Sequence, residues 1–321
     1  MRYRKFGRLG WDVSELGYGM WGMAGWSGSD DSESAAALDL AVERGCNFFD
    51  TAYAYGDGHS ERLLRDALRR HAGRRLYVAT KVPPKDRHWP GRAESNPKDV
   101  FPYDYIVEMT RKSRENLGVE RIDLQQLHVW SDAWVGDEGW RRAASDLKRD
   151  GSISGFGISV NRWEPENVLA ALETGLVDSV QVVYNIFDQN PEDRLFPACQ
   201  KSGAAVIARV PFDEGGLTGT LTPDASWPEG DWRSLYFTKE RLRETIARAD
   251  RLRPLLEPGG SLPDLALRFI LHHPMVATTI PGMRRLKHVE ANLAASDAPP
   301  LRPEQIQALR SHRWERDWRV P

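Results

Sequence analysis

The chain has 321 residues and a formal net charge of −2, so it carries no overall basic field and nucleic acid is not expected as a partner. No uncharged apolar run reaches membrane length and no apolar signal region follows Met1-Arg2-Tyr3-Arg4-Lys5, so a cytoplasmic protein with no membrane partner is expected. Its two cysteines, Cys46 and Cys199, have no CxxC spacing and read as small buried hydrophobes.

Residues 3–16 alternate polar and apolar around Gly7 and Gly10-Trp11, which predicts a hairpin. Leu16-Gly17-Tyr18-Gly19-Met20-Trp21-Gly22 then reads as a strand whose glycines allow close approach or serve a tight turn. Asn47-Phe48-Phe49-Asp50 is a short apolar run ending on an acid, and the turn Gly56-Asp57-Gly58 follows it. Asp50 is thereby placed at the carboxyl end of a strand, with Tyr55 on the loop beyond. Taken alone, Asp50 serves equally as a loop cap and Tyr55 as a packing residue. Leu76-Tyr77-Val78-Ala79-Thr80-Lys81 is a second apolar run, ending on lysine, and Ile122-Asp123-Leu124-Gln125-Gln126-Leu127-His128 is a third, ending on histidine.

Further strands are expected near 153–158, 179–183, 205–210 and 276–280, which with 16–20, 47–50, 76–81 and 122–128 makes eight. Amphipathic stretches between them predict helices at Glu33–Arg44, Ser60–His71, Asp104–Leu117, Gly139–Arg149, Pro165–Thr174 and Arg284–Ala295. This alternation predicts an α/β fold, a (β/α)8 TIM barrel forming a single domain over 1–321. Three long segments interrupt it: Pro83–Tyr103, Phe212–Thr238 and residues 297–321. Two follow strand ends, and their tryptophans favour ordered lids or binding loops over disorder.

Three strand ends thus offer an acid, a phenol, an ammonium and an imidazole. A phenol ordinarily titrates near 10. A neighbouring Lys81 ammonium favours the phenolate and is expected to lower the pKa of Tyr55, while Asp50 keeps Lys81 charged and oriented. A depression of two or three units asks about 3–4 kcal/mol of the pair, which requires partial desolvation.

In type, order and separation, Asp50, Tyr55, Lys81 and His128 resemble the catalytic set of the aldo-keto reductase superfamily, and the chain also resembles potassium-channel β subunits of that superfamily. The resemblance implies NADPH-dependent reduction of an aldehyde or ketone, reversible as alcohol oxidation. His128 would orient the carbonyl oxygen, and Tyr55 would protonate it as hydride arrives from the nicotinamide. It also implies that the hairpin plugs the barrel floor and that Met20 and Trp21 face cofactor and substrate. Ser159 and Gln181 would hold the carboxamide. Asn161 departs from the family's Ser-Asn pair because Val160 intervenes, and it serves equally as a helix cap.

Arg209 stands where most members carry an aromatic ring against the nicotinamide; its guanidinium can stack there and adds a charge. Pro211, Leu217 and Gly219 would lie along the cofactor near its pyrophosphate. Gly282, Arg284, His288 and Asn292, at a helix start, suit a ribose 2′-phosphate, so NADP is favoured and NAD remains possible. Arg284 on a solvated helix face is the alternative. Trp21, Trp89 and Trp130 are candidate pocket walls, and Trp130 serves equally as barrel-rim packing. With Asp231 and Arg233 they point to a sugar-derived or aromatic carbonyl. No histidine has metal-ligand spacing, so no metal is assigned. Two rivals stand: a nicotinamide-binding sensor or partner subunit with little turnover, and a metal hydrolase using Asp50 and His128, which Lys81 disfavours. The sequence does not select between monomer and homo-oligomer.

Overall fold

The computed structural model describes residues 1–25 and 29–318, so the last three residues of the predicted tail loop lie outside it. β1 (Tyr3–Phe6) and β2 (Trp11–Ser14) form the expected antiparallel hairpin. Eight parallel strands follow: β3 (Tyr18–Gly19), β4 (Phe48–Asp50), β5 (Tyr77–Val82), β6 (Ile122–Leu127), β7 (Ile153–Ser159), β8 (Ser179–Val183), β9 (Ala205–Arg209) and β10 (Val276–Thr279). They pair in chain order, and parallel bridges Leu16↔Thr279 and Gly19↔Gly282 bring the two edges together. At that seam a Cβ on Gly19 would overlap the Ile280 carbonyl oxygen, so only a bare backbone fits. The result is the (β/α)8 barrel.

The surrounding helices form where an apolar stripe meets a good start signal. Asp30 caps Asp31–Glu43 by accepting from the Glu33 amide. Glu138–Arg149 buries Trp140, Ala143, Ala144 and Leu147, one face at helical spacing, and ends on Lys148 and Arg149. The predicted helix Pro165–Thr174 is a correction: it is helical only over Leu169–Glu173, after a series of turns. Helices Leu195–Ser202, Lys239–Asp250, Leu262–His272 and Pro303–Arg310 were not expected.

Period-two alternation sorts the strand residues into two environments. Phe48, Tyr77, Ala79, Leu124, Ala205, Ile207 and Ala277 join the hairpin residues Phe6 and Val13 in one apolar cluster. Phe6 stacks on Trp11 and Phe48 at centroid distances of 5.3 and 5.4 Å, and Trp11 stacks on Tyr77 at 5.1 Å. A Cβ on Gly155 would lie 2.6 Å from Leu9, so this glycine makes room for the hairpin. The alternate residues, Phe49, Val78, Val82, Leu127, Val180, Val182, Val206 and Ala208, belong to the larger core beneath the helices. Two residues beyond Phe48, Ala79, Leu124 and Ile207 come Asp50, Lys81, Gln126 and Arg209, on the same inner face. The barrel interior is therefore apolar at the hairpin end and polar at the carboxyl ends of the strands. No helix among the described residues is long and apolar enough to cross a membrane.

Replacing Phe6 with Ala removes the ring that joins the hairpin to the barrel floor. We expect urea unfolding to show a loss of about 3–5 kcal/mol; a loss under about 1 kcal/mol would mean that the hairpin does not anchor the floor.

Candidate active site

Lys81 has no solvent exposure and Asp50 is 2% exposed. The Lys81 Nζ lies 2.5 Å from Asp50 Oδ2 and also donates to the Thr51 carbonyl at 2.8 Å. β4 and β5 set this distance, because Asp50 is in register with Ala79, two residues before Lys81. The other carboxylate oxygen, Asp50 Oδ1, accepts from Gln181 Nε2 at 2.8 Å and from Gln126 Nε2 at 3.2 Å. A buried carboxylate is thus saturated by one ammonium and two amides, as burial of a charge requires. Gln181 finds its buried partner here, and Gln126, not singled out from sequence, shares the task.

Tyr55 reaches this pair from its loop, its Oη 3.5 Å from Lys81 Nζ. The expected depression of its pKa is corrected in sign. Burial pushes the phenol above its ordinary value and outweighs the opposing pull of Lys81. Tyr55 therefore holds its proton throughout the neutral range. His128 moves the other way: burial, with Lys81 and Arg209 nearby, holds its imidazole well below the usual histidine range, so it is neutral at pH 7. Its Nδ1 is buried without a protein partner. The ring meets Tyr55 edge-on at 5.6 Å and Trp89 at 4.5 Å.

Trp89 is 44% exposed and arrives on the long segment after β5. Asn161 fixes that segment: its Nδ2 donates to the Gly91 carbonyl at 3.0 Å and its Oδ1 accepts from the Gly91 amide at 3.1 Å. This loop clasp accounts for Asn161, and the alternative of a helix cap is corrected, since the next helix is Leu169–Glu173 with Val168 at its cap position. Trp21 is also open, at 39% exposure. Trp130 is corrected as a pocket wall. It is 1% exposed and packs edge-on against Trp134 and Trp140, its Nε1 donating to Asp132, so it is rim packing. Asp231 and Arg233 bind each other at 2.6 Å.

The other expected cofactor positions ring the mouth. Ser159, the last residue of β7, is the register partner of Gln181 in the middle of β8. Met20, Pro211 and Leu217 are buried, while Gly219 is exposed. Gly282 is exposed, with open space where a side chain would stand. Helix Leu286–Ala294 begins just beyond it, and its cap residue Arg285 makes no side-chain capping bond. Burial and the neighbouring Arg285 and Arg233 lower the affinity of Arg284 for its proton, and burial with Lys287, Arg285 and Arg284 keeps exposed His288 low. Asn292 is buried on the same helix. Cations crowded at a helix start fit the phosphates of a dinucleotide.

The family model for the aldo/keto reductase family matches residues 15–313. The chain belongs to the aldo/keto reductase family. An uncharacterized oxidoreductase of Bacillus subtilis, YqkF, is 31% identical over 319 residues, which cover 97% of this chain and 96% of that protein. A probable voltage-gated potassium channel subunit beta of rice, Oryza sativa subsp. japonica, is 28% identical, with 96% and 95% covered. The holo form of an aldo-keto reductase from Bacillus halodurans superposes with a TM-score of 0.77 at 28% identity, covering 100% of this chain and 98% of that one. This aldo-keto reductase is an NAD(P)H-dependent oxidoreductase.

The mouth of the reductase also contains an ionic network that sequence reasoning missed. Asp213, fully buried, accepts from Arg162 at 2.8 Å, Tyr236 at 3.0 Å and Arg316 at 2.7 Å. Arg162 also binds Glu214 at 2.8 Å, and Arg316 binds Asp188 at 2.9 Å. Arg316 belongs to the tail, where Trp314 and Trp318 pack around it. The loop so held is strained, since Val210, Asp213 and Glu214 adopt φ of 56°, 48° and 55°. Each such residue costs about 1–3 kcal/mol and persists only where its surroundings enforce it.

Burial pushes Asp213 up, but Arg316 and Arg162 outweigh it and hold it below the usual carboxylate range. A depressed folded-state pKa contributes stability above the unfolded value, and that stability is lost as pH falls through the folded one. Asp213→Asn should therefore cost about 3–5 kcal/mol at pH 7 by removing the buried counter-ion that Arg162 and Arg316 share. It should also flatten the acid-side fall in stability below about pH 4. Unfolding curves at pH 3 to 7 check both, and an unchanged pH slope would contradict the assignment.

Proposed function

We propose that this barrel, taken as one unit over 1–321, reduces an aldehyde or ketone with NADPH, with Tyr55 as the general acid. The observation that carries the reading is the buried Asp50–Lys81 pair beside the Tyr55 hydroxyl. When bound, the reduced nicotinamide supplies a hydride to the carbonyl carbon. The protein supplies the rest.

His128, neutral, offers a ring N–H to the carbonyl oxygen and sets its direction. The Tyr55 phenol, protonated in the resting chain, gives its proton to that oxygen. As the phenolate forms, Lys81 faces a new negative charge at short range in a dry pocket, which favours the transfer. Asp50, fixed by Gln126 and Gln181, keeps the ammonium in place. Ser159 holds the carboxamide end of the cofactor, and Arg284 with the start of helix Leu286–Ala294 receives its 2′-phosphate. The walls available to substrate are Trp21 and Trp89, which suit a flat or sugar-derived carbonyl. In the hydrolase alternative Asp50 would have to give up the ammonium and both amides to bind a metal, which disfavours it.

Tyr55→Phe should lower kcat/KM for carbonyl reduction by about 10²- to 10⁴-fold while leaving the NADPH dissociation constant nearly unchanged. A turnover within a few-fold of wild type would remove Tyr55 from the mechanism. The pH profile of kcat/KM should show no inflection near 6.5, because His128 is already neutral, and should fall only on the alkaline side as the Tyr55 phenol ionises. A histidine-like inflection would contradict the assignment. Quenching of tryptophan fluorescence should report tighter binding of NADPH than NADH, with the difference reduced at least about tenfold in Arg284→Ala. Equal binding of both nucleotides by wild type would overturn the 2′-phosphate assignment.

A further inference from the structure

Arg209 closes β9 on the inner face of the barrel, in line with Ala205 and Ile207, and so points into the polar mouth. Of its five N–H donors, one nitrogen is engaged: Nη2 donates to the Val160 carbonyl at 3.0 Å. Its Nε is shut off from solvent and has no partner. Among the described residues no carboxylate pairs with it. The neighbouring Arg162 and Arg316 share the partnerless Nε but differ in their counter-ions, since Arg162 is bound to Asp213 and Glu214, and Arg316 to Asp213 and Asp188.

The acids within reach are already committed. Asp50 serves Lys81, Gln126 and Gln181, Glu214 serves Arg162 and Trp232, and Asp213 serves Arg162, Arg316 and Tyr236. Burial and the repulsion of Arg162 push the Arg209 guanidinium down to about 10, so it stays charged at neutral pH. That charge is felt at Tyr55 and His128. With Lys81 neutralised by Asp50 and His128 uncharged, Arg209 is, among the described residues, a cation beside the reacting groups to which no carboxylate is bonded. A half-buried guanidinium with idle donors is costly unless an anion completes it.

We propose that Arg209 is a specificity-determining residue that binds a carboxylate carried by the carbonyl substrate, so that this enzyme takes oxo acids and aldehyde acids in preference to their neutral analogues. The planar fork of a guanidinium matches a carboxylate, and the cofactor's phosphates already have the cation cluster at Arg284 and Arg285 to receive them. This inference rests on the carbonyl-reductase reading of the site, and its test separates the two.

Three measurements on the intact protein with NADPH bound decide it. Titration with benzoate and with benzamide reads the anion site without turnover. Wild type should bind benzoate at least about tenfold more tightly, and Arg209→Met should level the two, while Arg209→Lys retains part of the difference. Initial rates on the pairs 4-carboxybenzaldehyde and benzaldehyde, and succinic semialdehyde and butanal, should show the same preference in kcat/KM, lost in Arg209→Met through KM. The NADPH dissociation constant of Arg209→Met is measured alongside, so that a change in cofactor affinity is read separately from the loss of the carboxylate preference.

Equal binding of benzoate and benzamide by wild type overturns the inference. So does an Arg209→Met variant that keeps the preference but loses NADPH affinity, which would assign the anion to the cofactor. If wild type prefers benzoate through Arg209 yet reduces no carbonyl, the anion site stands and the reductase reading fails.

Discussion

A lysine side chain without solvent exposure keeps its charge only where a counter-ion is built in beside it, and in this barrel that counter-ion is Asp50. The pairing of β4 with β5 brings the two together, and the amides of Gln126 and Gln181 complete the carboxylate. Desolvation makes such a pair weak as a source of stability. Its value lies in what it presents to Tyr55. An ammonium fixed in a dry pocket stabilises a phenolate far more than an exposed one would, and it does so when the proton leaves rather than before. The raised pKa of Tyr55 in the resting chain fits that order of events, because an acid must hold its proton until it is needed.

The barrel divides the work along its axis. At one end Phe6, Trp11, Phe48 and Tyr77 stack into an apolar floor that the hairpin closes. At the other, the same inner face turns polar within two residues on each of four strands. Loops then set the walls. Asn161 clasps the segment that lays Trp89 against His128, and Arg162 with Arg316 pins a strained loop between the ends of three strands and the tail. Rigid strands thereby place the reacting groups, while buried polar contacts order the long segments around them.

Much of this was legible in the sequence because strand periodicity and strand ends leave strong signals. All eight barrel strands and the hairpin were expected close to where they lie, and Asp50, Tyr55, Lys81 and His128 do converge. The less legible parts share physical causes. Lys239–Asp250 buries only Leu242, Thr245 and Ala249, a stripe too thin to stand out, whereas Leu262–His272 is buried without a break from Leu265 to Leu271, a short run that reads equally as strand or helix. Leu195–Ser202 carries Pro197 within its first turn, which reads as a breaker. The sign of the Tyr55 shift depended on how deeply the ring is buried, which spacing does not encode. Arg162 and Arg316 lie 51 and 103 residues from Asp213 in sequence, and nothing local marks them as partners. Trp130 illustrates the opposite error: an aromatic two residues past His128 belongs to the rim because its neighbours there are Trp134 and Trp140.

The account turns on Lys81 acting through the Tyr55 proton rather than through cofactor binding or folding. The most direct measurement is the single-turnover rate of NADPH oxidation by a carbonyl substrate in wild type and in Lys81→Met, with the cofactor pre-bound and its affinity measured in both. The account predicts that Lys81→Met binds NADPH within a few-fold of wild type yet transfers hydride at least about 10²-fold more slowly. A folded, cofactor-loaded Lys81→Met that transfers hydride at the wild-type rate would contradict it.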